Sequence, residues 1–292
     1  MARPGVDLDR DGIPRVRVLT PAGPRERYNP VTVSQYAMAN YNTFVRTGKA
    51  AHRDAMLRQT DWLLENFSLR GGFGVWRYEF DYSGPGYNCK GPWISCMAQG
   101  QGISALIRAH SLTGKEEAAR VSRMAAAAFD VPVAEGGVRK TDAHGCVWYR
   151  EFACSRASNV LNGMIFGLFG LKECGDYFGD DSARKSFDAG AATVKRHLAD
   201  FEVGLFPLFK WSRYDDGLIV LAARRYHELH VRQLEQLYRM TGDDAFARYA
   251  RRWKGFESVY GRSPVYVVIN GFARRLGKAS QTRSLTRRTK ED

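Results

Sequence analysis

Four glycine turns at a near-constant interval constrain this chain more than any other feature. They are Arg46-Thr47-Gly48-Lys49, Leu112-Thr113-Gly114-Lys115, Phe178-Gly179-Asp180-Asp181 and Met240-Thr241-Gly242-Asp243, and their glycines lie 66, 65 and 63 residues apart. Each turn follows one apolar-periodic stretch and precedes another. A glycine there supplies the left-handed residue that ends a helix, and the polar residue after it can start the next. A repeat of about 64 residues fits helix, tight turn, helix and a longer return. The pattern predicts helices over 31–47, 50–66, 96–112, 115–129, 157–174, 181–199, 217–240 and 243–258, which is four αα-hairpins. Gly102-Ile103-Ser104-Ala105-Leu106-Ile107 and the run from Asn162 to Phe169 read as inner helices, whereas Arg248-Tyr249-Ala250-Arg251-Arg252-Trp253 reads as outer. Hairpins repeated in this way close into an (α/α) barrel or toroid, so the fold class is mainly α.

The first 30 residues are interrupted by Pro4, Pro14, Pro21, Pro24 and Pro30 and read as an extended, irregular or strand-like segment. Residues 31–260 then form the helical domain, and 261–292 a basic tail expected to be flexible. Asp7-Leu8-Asp9-Arg10-Asp11-Gly12 opens like a calcium loop, but Val18 stands where a bidentate Glu belongs, so an Asp-rich turn is the better reading. Five cysteines at 89, 96, 146, 154 and 174 contain no CxxC and are expected to be reduced thiols.

The net charge of +13 calls for an anionic partner, although seven Lys/Arg against two acidic residues from Gly271 onward belong to the tail. Neither a helix-turn-helix nor an RNA-binding sheet motif is present, so nucleic acid is not the expected partner. No apolar run is long enough to span a membrane, and the N-terminus lacks a signal-peptide core. The expected location is therefore cytoplasmic, with the tail able to touch an acidic membrane surface.

The long returns at 67–95, 130–156 and 200–216 concentrate aromatics and arginines. Trp93, Tyr149, Arg156, Trp211, Arg213 and Tyr214 are among them. Aromatic faces stack on sugar rings and Arg pairs with carboxylates, so the loops suit a cleft for sugar acids. The alternative is that these rings seal the barrel ends. His227 and His230, three apart in Tyr226-His227-Glu228-Leu229-His230, share a helix face. The spacing is not HExxH, so a hydrogen-bonded His pair is expected rather than a metal site. No phosphate loop or GxSxG elbow appears.

With these residues in view, the chain resembles the C-terminal domain of the D-glucuronyl C5-epimerases, enzymes that act on heparosan-type polysaccharide. Asn29-Pro30-Val31-Thr32-Val33-Ser34-Gln35-Tyr36, Trp93-Ile94-Ser95-Cys96-Met97-Ala98-Gln99-Gly100-Gln101, Trp148-Tyr149-Arg150-Glu151-Phe152, Val160-Leu161-Asn162-Gly163 and Tyr226-His227-x-x-His230-x-x-Gln233-Leu234 carry the likeness. It runs from about residue 28 to 258. The resemblance implies an (α/α) barrel that receives a polymer, and an isomerase that inverts C5 of glucuronate without metal or other cofactor. It implies Glu151 and Tyr226 as the groups that work on the two faces of C5, with Tyr214 a more loosely aligned third. Tyr149, Arg156, Asn162, Gln99, Gln101, Arg213, His227, His230 and Trp93 are the expected substrate contacts. The implied partner is an acidic, glucuronate-containing polysaccharide, and the animal enzymes' dimers admit a homodimer here. Departures are Arg150 for the family's first Glu, Phe152 for its Tyr and Ile94 for its Tyr. Rival readings are a uronate lyase that shares the C5 proton abstraction, a glycoside hydrolase using two carboxylates, and a non-catalytic binder of acidic glycans.

Overall fold

The structure, a computed structural model, describes residues 6–20, 23–84, 87–154, 159–204, 206–211 and 221–256. Three strands come first: β1 (Val6–Leu8), β2 (Pro14–Thr20) and β3 (Gly23–Tyr28). They form an antiparallel sheet in the order β1-β2-β3, so the proline-rich segment is strand rather than irregular coil. The Asp-rich stretch is the turn between β1 and β2. Asp9 Oδ1 accepts from the Asp11 and Ile13 amides at 2.9 and 2.8 Å, which spends the side chain on the backbone as an Asx turn does.

Two helices follow, α1 (Pro30–Thr47) and α2 (Ala50–Glu65), then β4 (Phe67–Arg70), β5 (Phe73–Tyr78), β6 (Tyr82–Gly84), β7 (Tyr87–Cys89) and β8 (Trp93–Ile94). Next come α3 (Cys96–Thr113), α4 (Glu116–Ala127), β9 (Arg139–Thr141), β10 (Val147–Tyr149), β11 (Asn159–Val160), α5 (Leu161–Phe178) and α6 (Asp181–His197). The order closes with β12 (Glu202–Val203), β13 (Phe206–Pro207), β14 (Lys210–Trp211), α7 (Arg224–Thr241) and α8 (Asp244–Gly255). The described helices thus make four hairpins, as the glycine turns require. Gly48, Gly114, Gly179 and Gly242 take φ of 68°, 66°, 69° and 71°. The amides of Gly48, Gly114 and Gly242 bond back to Phe44, His110 and Tyr238 carbonyls at 2.7–2.8 Å. The polar residue after the glycine caps the next helix only in part. Asp180 and Asp243 accept helix amides, while Lys49 and Lys115 carry no acceptor and do not.

Two predicted helices differ at their ends. The helix expected over 157–174 runs from Leu161 to Phe178, because Asn159 and Val160 pair with Trp211 and Lys210 as strand. The helix expected to begin at 217 begins at Arg224. The tail at 261–292 lies outside the described residues.

Packing divides the chain into two compact units. Of the described residues, the first takes those up to Tyr82 together with 90–154 and 163–190. The second takes 83–89, 159–162 and those from Ala191 on. In the first unit, α3 crosses α5 at glycines. A Cβ on Gly100 would lie 2.4 Å from the Phe166 carbonyl, and one on Gly170 would lie 2.2 Å from the Gly100 carbonyl. Only hydrogen at these positions lets the two backbones approach so closely. Trp76 lies over Gly102 and donates its indole N–H to the Leu63 carbonyl at 2.8 Å. In the second unit, α7 packs on α8, and Trp253 donates to Glu202 at 2.9 Å.

The cysteines depart from expectation. Cys96, Cys146 and Cys174 are free, but Cys89 and Cys154 are disulfide-bonded. Whether a cysteine is oxidised depends on the folded chain, and the spacing of five cysteines does not encode it. Among the described residues, no helix is long and apolar enough to cross a membrane.

Candidate active site

In the first unit, β8 leads directly into α3. Tyr78 pairs with Trp93 in the β5–β8 ladder, and Ser95 caps α3 by accepting the Met97 amide at 3.2 Å. Two main-chain hydrogen bonds strap the segment after β10 onto this corner. Cys96 N–H donates to the Arg150 carbonyl at 2.9 Å, and Ala153 N–H donates to the Ile94 carbonyl at 3.0 Å. Glu151 is held between those two bonds, so its loop has little freedom.

The Glu151 carboxylate meets the third residue of α5. A Cβ on Gly163 would lie 2.0 Å from Glu151 Oε2, so a glycine there makes the room the carboxylate occupies. The Gly163 amide hydrogen-bonds the carboxylate. An amide in a helix's first turn is free to do this, and the positive end of the helix dipole favours the charge. The residue as a whole is only half-buried, but Oε2 is closed off from solvent and has no hydrogen-bond partner among the described residues. Burial therefore dominates, and it pushes the carboxyl up from an ordinary 4.5 to about 8; the Gly163 bond acts weakly in the opposite direction.

Tyr78 and Cys96 both lie within reach of the Glu151 charge. Tyr78 shares a hydrogen bond with Ser95, and burial, followed by the Glu151 charge, raises its phenol well above its ordinary value. Cys96 donates its thiol to the Tyr149 and Gly163 carbonyls at 3.3 and 3.5 Å and is likewise held protonated by burial and by Glu151. Trp93 stacks on Tyr78 with centroids 3.9 Å apart and a 10° interplanar angle. Phe152 packs against Trp93 at 5.6 Å and against Tyr82 at 5.8 Å. Phe152 has no hydroxyl, and its ring extends this stack.

Several expected substrate contacts are engaged in the fold itself. Gln99 accepts from the Trp76 amide at 3.0 Å and donates to the Gly74 and Ala125 carbonyls at 2.9 and 3.2 Å. Tyr149 donates its hydroxyl to the Ser186 carbonyl at 2.8 Å. Trp93 donates its indole N–H to the Phe80 carbonyl at 2.8 Å. Gln101 is buried, and its Oε1 has no hydrogen-bond partner among the described residues. Tyr78 belongs to the aromatic return at 67–95 but is not among the site residues expected from the sequence. Its period-two position on a strand, facing the same way as Trp76, was the available signal.

The second unit holds the other group of site residues. Tyr226 lies in the first turn of α7 and is half-buried, with its amide bonded to the Ala223 carbonyl at 2.7 Å. The Phe209 ring meets its ring edge-on at 4.8 Å, and the Arg225 guanidinium lies over it at 4.8 Å. His227 and His230 are fully buried on the same helix. Neither His230 nitrogen has a hydrogen-bond partner among the described residues, in contrast to the bonded pair expected. Burial, and then His227, lower its pKa from 6.5 to about 3, so His230 is neutral. Gln233 Nε2 donates to the Asn162 carbonyl at 2.9 Å, while Gln233 Oε1 and Asn162 Oδ1 are buried without such partners among the described residues. Tyr214, Arg156 and Arg213 lie outside the described residues.

Solved structures resemble this one at the level of fold. The cellobiose 2-epimerase of Bacillus thermoamylovorans superposes with a TM-score of 0.58 at 11% identity, covering 78% of this chain and 60% of that one. The unsaturated glucuronyl hydrolase of Bacillus sp. GL1 gives 0.53 at 14%, with the same coverage. The fold class is therefore the (α/α) toroid. Residues 70–255 match the family described as the D-glucuronyl C5-epimerase C-terminus, and the chain belongs to that family. A D-glucuronyl C5-epimerase of Caenorhabditis elegans is 29% identical over 224 residues, covering 72% of this chain and 36% of that protein. An uncharacterized protein of Methanocaldococcus jannaschii is 30% identical over 185 residues, covering 62% and 58%. The chain thus matches a little over half of one relative and about a third of the other.

Proposed function

We propose that this protein inverts C5 of D-glucuronate units within a heparosan-like polysaccharide, giving L-iduronate. The proton on C5 is alpha to a carboxylate, so its removal produces an enolate-like dianion. A group on one face takes that proton and a group on the other face returns one, with no redox change. The reading assigns these roles to Glu151 and Tyr226. Arg156 and Arg213 are assigned to the uronate carboxylate, whose charge must be offset before C5 can ionise.

The observation that carries the reading is the Glu151 carboxyl, held by Gly163 and the α3 corner with a pKa of about 8 and one oxygen unpartnered among the described residues. An acid–base group works best when its pKa lies near the working pH, and an ordinary carboxylate would be too weak a base for a carbon acid. Family membership supports C5 as the reacting centre. The protein's partner on this account is the polymer.

Heparosan incubated with the protein and followed by proton NMR and ultraviolet absorbance tests the assignment. Iduronate signals are expected without a rise in absorbance, and Glu151→Gln and Tyr226→Phe each remove them. Rising absorbance would mean that the C4 oxygen is expelled and the protein is a lyase. Binding without conversion, unchanged in Glu151→Gln, would make it a glycan-binding protein.

A further inference from the structure

A groove of about 320 Å³ opens in the first unit between the end of β3, the end of α2 and the β4–β5 pair. Its floor is aromatic. Trp62 and Tyr28 lie with ring centroids 5.6 Å apart, tilted by 41°, and Phe67 and Phe80 complete the lining. Tyr28 stays 41% exposed, yet its ring cannot swing away, because its hydroxyl donates to Asp9 Oδ2 at 2.6 Å. Arg27 stands at the rim. Its guanidinium bonds the Glu26 carbonyl at 3.1 Å and has no carboxylate partner among the described residues. Arg77, the other lining cation, is paired with Glu79 at 2.9 Å.

This groove is not the Glu151 cluster. Glu151, Tyr78 and Trp93 are not among its lining residues, although the Phe80 ring at its edge also meets Tyr78 and Trp93 at 5.7 and 6.2 Å. A pair of tilted rings, a guanidinium with no carboxylate partner among the described residues and acceptors such as Glu65 fit one ligand chemistry. The rings suit the C–H face of a pyranose, the guanidinium suits a carboxylate, and the acceptors suit sugar hydroxyls.

We propose that this groove is a second glycan-binding site that takes a hexosamine–uronate disaccharide of the acidic polymer, with the hexosamine on Trp62 and Tyr28 and the uronate carboxylate on Arg27. The inference rests on the proposed substrate class. It gives the protein a hold on the chain away from Glu151, so that a long polymer binds more tightly than a short one by effective concentration.

The test is titration of the ¹⁵N-labelled protein with a heparosan decasaccharide, watching the indole N–H signals of its six tryptophans. The Trp62 signal, assigned by its loss in Trp62→Phe, is expected to move saturably, and Arg27→Glu is expected to weaken that titration at least about tenfold. If Trp93, which stacks beside Phe152, responds and Trp62 does not, the groove is refuted while the substrate reading stands. If no indole responds, both fall. A Trp62 response unchanged by Arg27→Glu refutes the recognition of the carboxylate, and with it the proposal.

Discussion

Replacing Glu151 by Gln should change how the protein's stability depends on pH, quite apart from activity. In the unfolded chain this carboxyl titrates near 4.5, and in the folded protein burial holds it at about 8. Below pH 4.5 both states are protonated and the site contributes no pH dependence. Between 4.5 and 8 the unfolded chain has released the proton that the folded protein still keeps, so stability falls as pH rises. Above 8 both states are ionised and the full cost remains. At about 1.4 kcal/mol for each tenfold change in proton affinity, that cost approaches 5 kcal/mol. Gln is near-isosteric and never ionises, so its own burial cost is the same at every pH and cancels when two pH values are compared. Urea denaturation of both proteins at pH 4.5 and pH 9 gives the quantity directly. The stability of Glu151→Gln relative to wild type should rise by several kcal/mol, and at most about 5, on going from the acidic to the alkaline condition. Parallel pH curves for the two proteins would refute the buried, proton-holding carboxyl on which the site depends.

Other perturbations test separate parts of the account. Gly163→Ala places a Cβ 2.0 Å from Glu151 Oε2, so it should displace the carboxylate and lower turnover of heparosan by about 100-fold or more, as read by initial rates. Tyr149→Phe removes the bond to Ser186, and should cost about 1–2 kcal/mol in denaturation while leaving KM for the polymer unchanged. Gly170→Ala forces a methyl against the Gly100 carbonyl at the α3–α5 crossing and should destabilise by about 1–3 kcal/mol or more. His230 has a folded pKa lowered from 6.5 to about 3, so the folded protein binds fewer protons than the unfolded chain as pH falls through that window. Stability is lost there on acidification, and His230→Gln should flatten the acid limb of the denaturation curve.

Much of the helical architecture was legible because it is written locally. A glycine in the left-handed region stops a helix wherever it stands, and all four turns behaved alike. The misread boundaries lie where tertiary pairing overrides the local pattern. Residues 159–160 look helical in sequence but are held as strand by 210–211. The disulfide state of Cys89 and Cys154 is likewise a property of the folded chain, and nothing in the cysteine spacing announces it.

The residues of the candidate site were nameable from motifs, but their physics was not. MAQGQ reads as one block in sequence, yet Gln99 ties β5 and α4 to α3, Gly100 makes a helix crossing, and Gln101 keeps a buried oxygen unpartnered among the described residues. Likewise Gly163 of VLNG is the space into which Glu151 fits, a relation between residues twelve apart that only the fold reveals. Tyr78 sits in no motif, and its place beside Ser95 comes from strand register.

The central claim is tested most directly by the fate of the C5 proton. Heparosan incubated with the protein in deuterated water, over a pH series, is read by NMR for deuterium at C5 and for iduronate. Deuterium should appear at C5 together with iduronate, and kcat/KM should rise with pH, half-maximal near 8 and level above it, as Glu151 ionises. Because an epimerase needs one proton shared between its two groups, the same rising limb should appear when the polymer supplied already contains iduronate. Conversion to iduronate with the original hydrogen retained at C5, or exchange that continues undiminished in Glu151→Gln, would contradict proton transfer through this carboxylate.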